Sequence, residues 1–230
     1  MSNQELNYNI TPMDIDKKII ELTYRPTPSD RELEWDKTKQ LLSKTDSKGN
    51  ILYANESFID VCGYDDFELM DKNHNLLRHP DMPKVIFKLL WENLSKNKQC
   101  SLIIKNMSKT GRYYWVYNDV TTTVDDNDNV FYTGKQKAVA NEIILNHIET
   151  LYKKLLQVEK ASGIQSSENY LIGFLEERNK TYVEYINGLI ATGKDSVGEI
   201  SNDGFSVSTV QKKKGFFTSF FADDNSNKKK

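Results

Sequence analysis

Three turn signals cut residues 41–137 into short extended segments, and this punctuation limits the fold more than any other feature. Ser47-Lys48-Gly49-Asn50 separates Leu41–Asp46 from Ile51–Asn55. Lys109-Thr110-Gly111 separates Ser101–Asn106 from Tyr113–Thr121, and Asp125-Asp126-Asn127-Asp128 separates that segment from Asn129–Lys135. Gly, Asn and Asp accept the backbone conformations and side-chain-to-backbone bonds of tight turns, so each signal predicts antiparallel neighbours. The interval between the second and third segments reads as helical. Glu56–Cys62 is a short helix closed by Gly63. Asp65 and Glu68 form a capping box. Residues 71–80 (DKNHNLLRHP) have no period and read as a loop, and Asp81 followed by Pro83 predicts a helix start. That helix carries Val85, Phe87, Leu89, Leu90 and Trp91 and ends near Leu94. Two strands, short helices, then three antiparallel strands place the chain in the α+β class.

The flanks differ from this core. Residues 1–40 carry Pro12, Pro26 and Pro28, with a short helix predicted over Asp14–Leu22 and an extended Arg25-Pro26-Thr27-Pro28; they read as an N-terminal cap. Residues 141–192 read as a helical extension. Ile144, Ile148, Leu151, Leu155 and Val158 follow a heptad spacing that suits either a docking face or packing within the chain. Gly163 predicts a helix end and Ser167 a new start, and Thr181 with Glu184 forms a second capping box. Residues 193–230 read as a disordered linker followed by a basic, Phe-containing tail. Residues 211–230 hold six Lys and two Asp. This tail suits peripheral contact with an anionic membrane surface, docking in a partner's groove, or a solvated end.

Composition excludes several classes. A net charge of −2 does not suit a chain that coats nucleic acid. The apolar runs are far shorter than the ~20 residues of a membrane-spanning helix, and the first residues lack the basic and apolar regions of a secretory signal. Cys62 and Cys100 form no CxxC pair, so a reduced, cytoplasmic chain is expected. There is no zinc-like ligand set, and no phosphate-cradling glycine loop, kinase or cyclase signature or nucleophile elbow. The expectation is therefore not an enzyme.

The residues narrow the fold further. Thr45-Asp46-x-x-Gly49-Asn50-Ile51-x-Tyr53-Ala54-Asn55-x-x-Phe58 and Gly63-Tyr64 resemble the first half of PAS domains. The run His74-Asn75-Leu76-Leu77-Arg78-His79-Pro80-Asp81-Met82-Pro83, followed by Phe87, Trp91, Lys105-Asn106 and Tyr114-Trp115-Val116, resembles the FAD-binding PAS domains of bacterial aerotaxis receptors and stand-alone energy-taxis PAS proteins. The resemblance implies a five-stranded antiparallel sheet with short helices on one face. It implies cofactor contacts at Asn55, Arg78, His79, Asp81, Trp91 and Asn106.

The chemistry of these residues agrees with a flavin, a flat and mainly apolar ring with a polar rim. Trp91, Phe58 and Tyr53 suit its walls, Asn55 and Asn106 its polar edge, and Arg78, His79 and Lys84 a diphosphate. Each has a plainer role open to it: Trp91 as core, Asn55 and Asp81 as helix caps. At Gly134-Lys135-Gln136 the chain departs from the resemblance, which places a lysine where a pocket-lining apolar residue is expected. Haem is the rival cofactor, through His74 or His79. A light-sensing cysteine adduct is not expected, because Leu77 stands before Arg78. The resulting expectation is a cytoplasmic PAS sensor of redox or energy state that signals to a separate chemotaxis receptor, recruited to the membrane through it. The alternative is a cofactor-free PAS interaction module; a homodimer stays open under either.

Overall fold

The computed structural model describes residues 25–96 and 99–192. The expected helix over 14–22, the linker and the Lys/Phe tail lie outside the described residues. The strands are β1 Ser29–Glu32, β2 Leu41–Asp46, β3 Ile51–Ala54, β4 Cys100–Met107, β5 Arg112–Val124 and β6 Val130–Ala138. Strands β3, β2, β6, β5 and β4 form the expected five-stranded antiparallel sheet, with β5 between β6 and β4.

The N-terminal segment is more than a cap, because β1 adds a sixth strand in parallel to the start of β5. Ser29-Asp30-Arg31-Glu32 has no apolar alternation, so its pairing was invisible in the sequence. Ser29 donates to Gly111 O at 2.9 Å and Leu33 to Tyr113 O at 2.7 Å. Gly111 is required at this crossing: its φ is +80°, and a Cβ there would lie 2.2 Å from the carbonyl oxygen of Thr27.

The helices between β3 and β4 follow local signals. Helix α1 (Glu56–Cys62) is capped by the Asn55 side chain and ends on Gly63 at φ 72°. Helix α2 (Asp66–Leu69) opens with the Asp65/Glu68 capping box. The aperiodic 71–80 segment contains a 3₁₀ turn, His74–Leu77, started by the Asn73 side chain. Helix α3 spans Lys84–Leu94. It begins after Pro83, so Asp81 is not its cap.

Beyond β6, the turns Asn141–Ile143 (α) and Ile144–Ile148 (π) lead into α4 (Glu149–Glu176) and α5 (Tyr182–Thr192). Ile144, Ile148, Leu151 and Leu155 are buried, so the heptad stripe packs within the chain instead of presenting a docking face. Gly163 does more than end a helix. At φ 82°, ψ 175° it turns α4 back on itself. Residues twelve apart in a straight helix stand ~18 Å apart along the axis, yet Ser167 Oγ donates to Leu155 O at 3.1 Å. The second capping box is present, with Thr181 N on Glu184 Oε2 at 2.7 Å and Glu184 N on Thr181 Oγ1 at 3.3 Å. The extension shields the free edge of β4: Tyr152 OH, paired with Tyr182 OH, donates to Ile103 O at 2.7 Å. Among the described residues no helix is long and apolar enough to cross a membrane.

Candidate functional site

Side chains alternate between the two faces of a strand. On the face covered by α3, this alternation brings Ser43 and Thr45 from β2, Ile104 and Asn106 from β4, Asn118 and Val120 from β5, and Tyr132 and Gly134 from β6 to one cleft of about 530 Å³. Phe87, Leu90, Trp91 and Leu94 roof it. Arg78, His74 and the Ser47–Gly49 turn complete its wall.

The floor carries an unusual load of buried amide. Asn106, Asn118 and Gln136 are 2%, 5% and 0% exposed. Gln136 has the same parity as Gly134 and stands directly opposite Asn118 in the β5–β6 ladder. Among the described residues, Asn106 Nδ2, Asn118 Oδ1 and both polar atoms of Gln136 have no hydrogen-bond partner. Buried polar groups are nearly always paired, and each left unmade costs about 1–3 kcal/mol. Asn118 and Gln136 face each other across β5 and β6 and bring unpaired donor and acceptor atoms to one face of the sheet, while Asn106 shares that face four residues further along, opposite Tyr114. Gly134 leaves room for the Asn118 side chain, since a Cβ there would approach Asn118 Oδ1 to 2.9 Å.

The walls are apolar and aromatic. Trp91 is 43% exposed and stands edge-on to Tyr132, with ring centroids 5.5 Å apart. The Arg78 guanidinium donates to Met82 O at 2.8 Å and lies 4.5 Å from the centre of the Phe87 ring. Burial pushes its pKa down and the nearby Glu159 charge pulls it up. His74 is partly buried, with Nε2 3.3 Å from Ser43 Oγ and its ring against Phe58. Burial lowers its pKa to about 4, so it is neutral near pH 7.

Residues 51–134 match the family model described as the PAS fold. This region has the PAS fold. It resembles the aerotaxis receptor of Escherichia coli (strain K12), with 38% identity over 115 residues, half of this chain and 22% of that one. It also resembles a blue-light photoreceptor of Listeria innocua serovar 6a, with 26% identity over 163 residues, 67% of this chain and 64% of that one. The chain thus spans about a fifth of the first relative and under two thirds of the second. Among solved structures, the LOV domain of the blue-light photoreceptor Aureochrome1 in its light state is 24% identical at a TM-score of 0.41, covering 54% of this chain and 94% of that one.

The PAS cleft gathers half of the residues expected from the sequence. Arg78, Trp91 and Asn106 line it. Asn55 does not. Its Oδ1 accepts from Leu42 N and Phe58 N, both at 3.0 Å, and its Nδ2 donates to Gln40 O at 2.9 Å, so it ties α1 to the start of β2. His79 and Asp81 also lie off the cleft. The N–H of His79 donates to Lys105 O at 3.2 Å, and His79 Nδ1 accepts from Asp81 N at 3.1 Å. Asp81 pairs with Lys105 Nζ at 2.9 Å. Lys105 alternates with Asn106, so this pair belongs to the sheet face opposite the cleft.

Three proposed wall or phosphate residues are likewise elsewhere. Tyr53 is half exposed, Phe58 is buried behind His74, and the Lys84 backbone is held by Glu159. Lys135 is exposed and points away, so of residues 134–136 only Gly134 lines the cleft, with Gln136 fully buried on the same face. Of the two haem candidates only His74 lines the cleft. Asn118 and Gln136 were missed. Their signal was present: a lone amide between Val116 and Val120 on a buried face, and a second amide two residues past a strand glycine.

Proposed function

We propose that this PAS domain binds a flavin, FAD by the resemblance of its 74–83 run, and senses redox or energy state. The observation that carries the reading is the set of buried carboxamides with unpaired atoms on one sheet face, the Asn118–Gln136 pair and Asn106. The ring's polar edge alternates carbonyl acceptors with one N–H donor, and a carboxamide offers both kinds of partner and can exchange them by a half-turn. Leu90, Trp91, Ile104 and Val120 would hold the apolar body, and Arg78 suits a phosphate through its fork of N–H donors.

A bound flavin supplies electron transfer together with a change of protonation at its polar edge. The protein's part is to register that change. Asn106 would pass it into β4, and Gln136 into β6, whose last residue, Ala138, leads directly to the extension. The signal then goes to a separate partner, a chemotaxis receptor, with the sensor in the cytoplasm and recruited to the membrane by that contact. The similarity to an aerotaxis receptor supports this assignment.

The absorption spectrum of the purified protein, before and after addition of FAD, FMN or haem, tests the reading. Structured flavin bands that sharpen on binding support it. A Soret band transfers the site to haem through His74. A colourless, folded protein that takes up none of the three leaves the cofactor-free interaction module.

A further inference from the structure

The roof helix of the cleft has no local cap. Pro83 precedes it and offers no side-chain acceptor, while the first N–H groups of any helix lack partners within it. Those of α3 are met by a residue 75 positions away. Glu159 in α4 accepts from Lys84 N on Oε2 at 3.0 Å and from Val85 N on Oε1 at 2.8 Å. One carboxylate thus bridges two successive amides at the positive end of the helix.

A turn further on, Lys88 Nζ donates to Glu168 Oε2 at 2.6 Å, with side chains 14% and 13% exposed. Glu159 lies before the Gly163 reversal and Glu168 after it, and Ser167 holds the two arms of α4 together. Both arms therefore grip the first two turns of the helix whose later residues line the cleft.

We propose that Glu159 is a positioning residue of the cleft, and that closure of α3 over the sheet and attachment of the doubled-back α4 to it are coupled. Movement of α3 away from the sheet requires release of Glu159 and Glu168. Occupation of the cleft is then read as attachment of the extension, and loosening of the extension weakens the cleft by the same factor. The fastening stands on the contacts alone; its use as a readout rests on the flavin reading above.

Hydrogen exchange of the full-length protein without added cofactor tests the fastening. Glu159→Ala is expected to speed exchange about tenfold both in the first turns of α3 and in the 149–162 arm. Glu159→Gln keeps an acceptor oxygen and should fall between Ala and wild type. Either single reversal, Lys88→Glu or Glu168→Lys, should loosen both segments, and the double exchange should recover part of that loss, short of wild type because Glu92 also faces position 88. This set also decides the matter if Glu159→Ala does not fold. Unchanged α3 exchange in Glu159→Ala, loosening of α3 without α4, or equal behaviour of Gln and Ala overturns the proposal. With FAD added, its release should quicken in the same order. A protein that binds no FAD removes the flavin reading and leaves the exchange result to judge the clamp.

Discussion

Asn118 on β5 and Gln136 on β6 are direct partners in one antiparallel ladder, and Asn118 Oδ1 and both polar atoms of Gln136 are buried without a hydrogen-bond partner among the described residues. A fold held only by its own contacts gains nothing from this arrangement. The empty protein should therefore tolerate Gln136→Leu, with stability unchanged or raised by about 1 kcal/mol, because the substitution removes two unpaired buried atoms. Urea denaturation of the cofactor-free protein measures this. A loss above about 2 kcal/mol would mean that Gln136 is held by the fold itself.

Gly134→Ala should act on the same pair through Asn118. The added Cβ, 2.9 Å from Asn118 Oδ1, forces that side chain to shift. The expected result is weaker flavin binding with a small change in stability, about 1 kcal/mol or less. Retained affinity would show that the seat of Asn118 is not part of the site.

Trp91→Ala separates wall from core. Full burial would make this change cost about 3–5 kcal/mol, but Trp91 is 43% exposed, so about 1–2 kcal/mol is expected, together with loss of flavin. A large loss of stability with flavin still bound would return Trp91 to the core.

His74 gives the domain a pH dependence. Its folded pKa, lowered to about 4 by burial, lies below the ordinary histidine value. Between those two values the unfolded chain binds the extra proton, so stability is complete above about pH 6.5 and falls as the pH drops toward 4. About 2 kcal/mol should disappear between pH 7 and pH 5. Denaturation at both pH values checks it, and His74→Gln should flatten the difference.

Gly163→Ala should destabilise by about 1–3 kcal/mol, because φ 82° with ψ 175° is a region essentially reserved for glycine. No atom stands within 4 Å of the added Cβ. The cost would therefore come from the backbone alone, and thermal unfolding should show it without a change in sheet content.

What was legible in the sequence is what neighbouring residues decide. The β2–β3 hairpin, the Asn55 cap, the Gly63 stop and both capping boxes are contacts within a few positions of one another, and they appear where the pattern put them. The parallel pairing of β1 and the capping of α3 by Glu159 depend on residues brought together by the whole fold, and no local pattern announces them. The site was half legible for a related reason. Asn55 suits a ligand and a helix cap equally well by type, and only its distances show which role it takes. His79 and Asp81 adjoin Arg78 in sequence, but the chain passes the sheet edge there, so neighbours along the chain fall on opposite faces. Asn118 and Gln136 were visible as polar breaks in buried alternation; their meaning came from register.

The most direct test is a titration of FAD into cofactor-free wild-type protein, Asn118→Ala and Gln136→Leu, followed by flavin fluorescence and absorption. One FAD per chain in the wild type, with affinity at least about tenfold lower in each variant, is the result expected when one or two hydrogen bonds to the ring edge are lost. No binding by the wild type, or equal binding by all three proteins, would contradict the assignment of the Asn118–Gln136 pair to a flavin.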